Sequence, residues 1–349
     1  MSDPLMELDG MEKYFTRSTG FISSLFGSNE YVKAVDGVSF TLEENQVVGV
    51  IGESGCGKTT LLKTLMGLYD PTGGEIRYKG TPLSSFSRAD WKEFRRNVQI
   101  IFQDPFNSID PKMSVQETLK EPLKIHGMDA SEERILEVLE QVELNPASNY
   151  LNRLPQQLSG GEKQRVSIAR ALVTDPDIIL ADEPVSMLDV STQASVLNLL
   201  SDLTTDLGVS MIYISHDLST VGYVCDLIKV MYLGRVVESA PTQALLDDPK
   251  HPYTQELVAA VPIPDPHHAR NRTSIEGAVA DPIGMGSGCR FRDRCPERMD
   301  ICETKPMTIA CGEKREVACH LHYDHEQRVQ AGADTTFENT AVTGQEGDD

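Results

Sequence analysis

The sequence predicts an α/β domain of the P-loop nucleotide-binding type, and three ordered features predict it. Gly52-Glu-Ser-Gly-Cys-Gly-Lys58-Thr59 comes first, then Leu158-Ser-Gly-Gly-Glu162, then Ile178-Ile-Leu-Ala-Asp182-Glu183. The first has glycines at both ends of a four-residue spacer, followed by Lys-Thr, the pattern of a phosphate-cradling loop.

Glycine lets such a loop close so that successive N–H groups point inward at an anion. Val47-Val-Gly-Val-Ile51 before it reads as a buried strand, and Thr60-Leu-Leu-Lys-Thr-Leu-Met66 after it as a helix. The loop therefore sits at a helix N-terminus, where the dipole and free N–H groups favour phosphate.

Ile178 to Leu180 is an apolar run ending in two carboxylates, as expected of a buried parallel strand whose C-terminal end reaches a site. Asp182 there suits Mg2+, together with the Thr59 hydroxyl. Glu183 is placed to orient or deprotonate a water attacking a γ-phosphate. His216 follows a further apolar run, Met211-Ile-Tyr-Ile-Ser215. A lone histidine at a strand end is more often structural; beside the other motifs it reads as a γ-phosphate contact.

Together these motifs resemble the ATP-binding subunits of ABC transporters, over about residues 5–260. The resemblance implies an ABC-type nucleotide-binding domain, with an antiparallel β subdomain and a helical subdomain at about residues 104–158. It assigns ATP to Gly52, Ser54, Gly55, Cys56, Gly57, Lys58, Thr59 and Thr60, and Mg2+ to Thr59, Gln103 and Asp182. Gln103 in Ile100-Ile-Phe-Gln-Asp104 matches the Q-loop, Asp189 in Ser186-Met-Leu-Asp189 the D-loop, and His216 the switch histidine. Glu183, His216 and Gln103 are the expected catalytic set. Tyr14 stands at the place of the aromatic that stacks on adenine, with Phe15 as the fallback. Ser159, Gly160, Gly161 and Glu162 resemble the signature, which faces a partner's ATP and more usually ends in Gln. Glu162 beside a triphosphate would repel it, so its side chain is expected to point away.

A closer resemblance is to the oligopeptide/dipeptide importers, in the type of their second ATPase subunit. It rests on Ile101-Phe-Gln-Asp-Pro105 running into Asp110-Pro-Lys-Met113, on Asp182 to Val190, on His251-Pro-Tyr-Thr254 and on a cysteine-bearing extension. It implies an ATPase coupled to peptide import, with nickel or saccharides as alternative cargo. It also implies a homologous ATPase subunit, two membrane-spanning permeases and an external binding protein as partners.

The 349 residues give room for one large core plus an accessory segment. No apolar run is long enough to span a bilayer, and the first residues lack the basic and apolar stretches of a signal peptide. A peripheral protein at the cytoplasmic face of the cell membrane is expected. With 53 acidic against 32 basic residues the net charge is −21, which argues against nucleic acid as a partner. The acidic excess runs along the whole chain, which suits a salt-adapted organism. A soluble ABC ATPase acting on nucleic acid is the rival from another class. Coiled-coil insertions or fused ATPase modules would favour it, and neither is present.

Residues 5–50 read as antiparallel strands interrupted by a Gly/Ser loop, Arg17 to Asn29. Phe21, Ile22, Leu25 and Phe26 of that loop form a small apolar face, for a partner or for this domain. Ser131 to Val142 has helical spacing, and a hairpin is expected around Leu233-Gly234, then a helix near 242–260. Residues 261–288 read as a linker, 289–322 as a Cys-rich extension and 323–349 as an acidic disordered tail.

Five of the seven cysteines fall between residues 289 and 319. Cytosolic location disfavours disulfides, and none of the gaps is the usual short zinc spacing. Spacing leaves an iron–sulfur site, zinc or no metal open. The importer resemblance points to a [4Fe-4S] cluster on Cys289, Cys295, Cys302 and Cys319, with Cys311 as the extra thiol. Arg290, Arg292, Arg294 and Arg298 are then expected to offset its negative charge.

Overall fold

The computed structural model describes residues 3–17, 30–261, 286–324 and 327. The apolar face at Phe21 to Phe26, most of the expected linker and nearly all of the acidic tail lie outside the described residues.

In chain order the strands are β1 (Met6–Arg17), β2 (Glu30–Leu42), β3 (Val47–Ile51), β4 (Gly73–Tyr78), β5 (Thr81–Pro82) and β6 (Val98–Ile101). There follow β7 (Ile178–Asp182), β8 (Ser210–Ser215), β9 (Leu227–Tyr232), β10 (Arg235–Pro241), β11 (Ile309–Ala310) and β12 (Glu316–Val317). They form a four-stranded antiparallel sheet, β2-β1-β4-β5, and an eight-stranded sheet, β11-β12-β10-β9-β3-β8-β7-β6. Strands β9, β3, β8, β7 and β6 run parallel, while β10, β12 and β11 add antiparallel pairs at one edge.

The parallel strands are covered on both faces, which is why they read as unbroken apolar runs. Strand alternation divides them between two cores. Val48, Val50, Ile178, Leu180, Ile212 and Ile214 pack with Leu61, Leu62 and Leu65 beneath the antiparallel sheet. Val47, Ile51, Ile179, Met211 and Tyr213 face the helices on the other side. Both cores are built from closely packed apolar side chains, which fixes the C-terminal ends of β3, β6, β7 and β8 relative to one another.

The segment after β6 is helical, with Val115–His126 and Glu132–Gln141 each started by a serine cap, Ser114 and Ser131. The hairpin forms between β9 and β10, with Leu233 at a left-handed φ of 43°. The single helix expected near 242–260 is two, Thr242–Asp247 and Pro252–Ala259. Pro252 cannot continue a helix from behind but suits a first helical position, and buried His251 caps the second segment through Nδ1.

Candidate nucleotide site

The loop after β3 is shaped by two glycines. Gly52 has φ 157°, and an added Cβ would stand 2.1 Å from the Met231 carbonyl oxygen. Gly57 has φ 109°, with the Ala34 carbonyl oxygen 2.0 Å from the corresponding position. No other residue fits either place. Gly57 starts the helix Lys58–Leu65 with no side-chain cap, so the first N–H groups stay open to an anion. The buried Lys58 Nζ folds back to donate to the carbonyls of Gly52 (2.6 Å) and Glu53 (3.1 Å).

A cavity of about 570 Å³ opens over this loop. Residues 54–60 line it, and so do Gln103, Glu183 and His216 from the ends of β6, β7 and β8. The Gln103 amide donates to Glu183 Oε2 at 2.9 Å, and His216 Nδ1 lies 3.0 Å from the same oxygen. Glu183 has a left-handed φ of 46°, unusual for a non-glycine residue. Its N–H is held by the Ile214 carbonyl at 2.9 Å, and its carbonyl accepts the Ser186 hydroxyl at 3.1 Å. That conformation turns the carboxylate out of the sheet and into the cavity. Asp182 is not among the lining residues but is close enough to Lys58 to feel its charge. Burial, and next the charge of Glu183, push its carboxyl above the usual range.

Tyr14 does not line the cavity; Phe15, Val32, Lys33 and Ala34 do. Neighbouring strand residues point to opposite faces, and the Tyr14 hydroxyl is spent on Asp36. The fallback aromatic, Phe15, is the one that reaches the site. Val32, Ala34, Leu233 and Gly234 were not anticipated there; the predicted Leu233-Gly234 turn was the available signal.

Ser159, Gly160, Gly161 and Glu162 do not line this cavity either. Ser159 caps the helix Gly160–Leu172 by accepting the Glu162 N–H at 3.2 Å. Glu162 returns the bond, accepting the Ser159 N–H at 2.7 Å, and also takes the Tyr150 hydroxyl at 3.0 Å. The Ser159 N–H bond leads in holding its pKa down. Asp189 caps the helix Val190–Leu207 through the Thr192 N–H at 3.0 Å.

All five C-terminal cysteines are free thiols. Cys289, Cys295, Cys302 and Cys319 lie within electrostatic reach of one another, and Cys311 stands apart beside Arg315 and Glu238. Burial pushes Cys295 up to about 11 and Cys319 up to about 12. Among the described residues no three His, Cys, Asp or Glu side chains are grouped closely enough to hold a metal ion. Each nearby arginine makes an ion pair with a carboxylate, and the Arg292 charge also acts on the Cys289 thiol. Arg290 pairs with Asp36, Arg292 with Glu303, Arg294 with Glu53, and Arg298 with Asp293 and Glu303. Among the described residues no helix is long and apolar enough to cross a membrane.

A loop at a helix N-terminus, backed by parallel-strand carboxylates, defines a nucleotide-binding cassette ATPase. The chain belongs to the ABC transporter family. That family's model matches residues 35–186, and a model described as the C-terminal region of oligopeptide/dipeptide transporters matches residues 237–302. The chain is 43% identical to the putative oligopeptide transport ATP-binding protein YkfD of Bacillus subtilis, over 93% of this chain and 98% of that one. It is 41% identical to the oligopeptide transport ATP-binding protein AppF of the same organism, over 92% and 98%. A dimeric post-hydrolysis structure of the ATP-binding cassette MJ0796, bound to ADP and Pi, matches with a TM-score of 0.58 at 29% identity, over 68% of this chain and 98% of that chain.

Proposed function

We propose that the chain is the ATP-hydrolysing subunit that energises an ABC importer of oligopeptides or dipeptides. The observation that carries the ATPase half is one cavity lined by loop residues 54–60, Gln103, Glu183 and His216. The peptide half is supported by the oligopeptide/dipeptide transporter match at residues 237–302 and by the relatives' names.

In this reading Phe15 stacks on adenine and the loop N–H groups take the phosphates. Lys58 exchanges its two carbonyl partners for phosphate oxygens, which accept from an ammonium more strongly than neutral carbonyls do. Glu183 takes the proton of the attacking water, while Gln103 and His216 hold its carboxylate in place. Thr59, Gln103 and Asp182 would hold Mg2+. Burial first, and then the charge of Glu183, raise the Asp182 carboxyl, and a divalent cation beside the two carboxylates would offset both effects. Bound there, Mg2+ supplies charge neutralisation for the phosphates.

The signature lies away from this chain's own cavity, which supports pairing with a second, homologous ATPase whose nucleotide it would meet. Two permeases and an external binding protein complete the transporter. The chain then sits at the cytoplasmic face of the cell membrane through the permeases. A net charge of −21 counts against the nucleic-acid rival. Nickel or saccharide import would use the same ATPase. No step runs through the cysteines, and the described residues hold no three-ligand group for a single metal ion. The test is affinity purification of the tagged chain from detergent-solubilised membranes. A second ATPase and two permeases, with ATPase activity above that of the isolated chain, are expected. Recovery of DNA or ribosomes without membrane proteins would overturn the reading.

A further inference from the structure

Glu53 puts a carboxylate inside the phosphate loop, one residue after Gly52, where a triphosphate is to be bound. That charge is answered from the far end of the sequence. Both terminal nitrogens of Arg294 donate to Glu53, Nη1 to Oε2 at 2.8 Å and Nη2 to Oε1 at 2.9 Å. Such a fork fixes direction as well as charge. The Arg294 side chain is only 7% exposed, and Nη1 also donates to the Tyr232 hydroxyl at 3.1 Å. Its guanidinium lies against the rings of Tyr232 and Phe291. The Glu53 N–H is tied as well, donating to the Tyr253 hydroxyl at 2.9 Å.

A second contact from the same turn reaches the cavity wall. Arg290 bonds the Leu233 carbonyl and Asp36, and Gly234 donates to the Cys56 carbonyl of the phosphate loop at 2.7 Å. Between the two arginines Phe291 is 1% exposed and seated against Tyr232, Tyr253 and His251. The extension is therefore docked behind the nucleotide cavity.

We propose that Arg294 is a positioning residue of the nucleotide site: it turns the Glu53 carboxylate away from the phosphates and cancels its charge, so that the C-terminal extension is part of the ATP site. Without Arg294 a bare carboxylate remains in a loop built to receive an anion. The inference rests on the phosphate-loop reading, and it predicts a defect in nucleotide affinity that disappears when Glu53 loses its charge.

The test uses the full chain, with Mg-ATP affinity measured by calorimetry and KM and kcat in the ATPase assay. Arg294→Ala should weaken ATP binding about tenfold and raise KM, with kcat at saturating ATP within about twofold of the parent. Arg294→Ala combined with Glu53→Gln should return affinity to within about threefold, although the extension has still lost its ion pair. Arg294→Lys, which keeps the charge without the fork, should bind ATP better than Arg294→Ala, and it serves if the alanine variant fails to fold. Arg298→Ala, which breaks pairs only within the extension, should leave affinity unchanged. Unchanged affinity in Arg294→Ala, or a defect that Glu53→Gln does not relieve, would overturn the inference. Lys58→Ala separates the two claims: unchanged ATP affinity there contradicts the phosphate-loop reading itself.

Discussion

His216 Nδ1 stands 3.0 Å from Glu183 Oε2, the oxygen that also accepts the Gln103 amide at 2.9 Å. Residues that follow three adjacent parallel strands thus meet at one atom. The strands are buried on both faces, so the core sets where these three residues leave the sheet, and the Ser186 hydroxyl adds a loop contact to Glu183. A carboxylate held at one oxygen keeps the other available to a water.

The first prediction concerns that contact. His216→Ala should leave ATP affinity near the parent value and lower hydrolysis by about 10²-fold or more. Steady-state turnover and equilibrium binding together check it. Equal losses in both would move His216 from catalysis to binding.

Adenine recognition is the second. Phe15→Ala should weaken ATP by about tenfold, the scale of one lost base–aromatic stack. Tyr14→Phe removes only the hydroxyl bonded to Asp36 and should leave nucleotide affinity unchanged. Fluorescent-nucleotide titration of both variants decides between the two aromatics.

These two residues also mark where the sequence was legible and where it was not. The phosphate loop and the three strand ends follow from short local patterns, and the structure has them in the expected elements. Which of Tyr14 and Phe15 faces the cavity depends on strand parity. The pairing of β1 with β2 shifts register between Leu8 and Met11, between Met11 and Glu12, and again between Lys13 and Tyr14. Such irregularities break simple alternation, so the face cannot be counted along the strand. The Arg294–Glu53 pair spans 241 residues, and no local pattern links its ends. Arg290 and Arg294 are expected from the sequence to offset a thiolate–cluster charge, and their pairing with the distant Asp36 and Glu53 carries no sequence mark.

The third prediction is a pH dependence of stability. His251 is fully buried and neutral, its pKa lowered by burial, and then by His322, to about 3. In the unfolded chain a histidine titrates near 6.5, so below that value the unfolded state binds the extra proton. This contribution to stability is complete above about pH 6.5 and is lost as pH falls toward about 3. By pH 5 it should cost about 2 kcal/mol. His251→Asn keeps a capping acceptor and should flatten that part of the curve. Urea midpoints across the range would show it, and an equal slope in both proteins would remove His251 as the cause.

The phosphate loop gives the fourth. Lys58→Ala removes the ammonium now held by the Gly52 and Glu53 carbonyls and should weaken ATP by at least about tenfold. Calorimetry reads the change directly. The same variant in the assembled complex should still associate with the permeases, since Lys58 is buried and makes no surface of its own.

The central claim is that Glu183 activates the water that cleaves ATP, and the most direct measurement is single-turnover hydrolysis by Glu183→Gln beside its ATP affinity. The account predicts ATP binding close to the parent and hydrolysis lowered by about 10²–10⁴-fold. It also predicts that the variant stays paired with its partner ATPase while ATP remains bound. Parent-like turnover in Glu183→Gln would contradict the account.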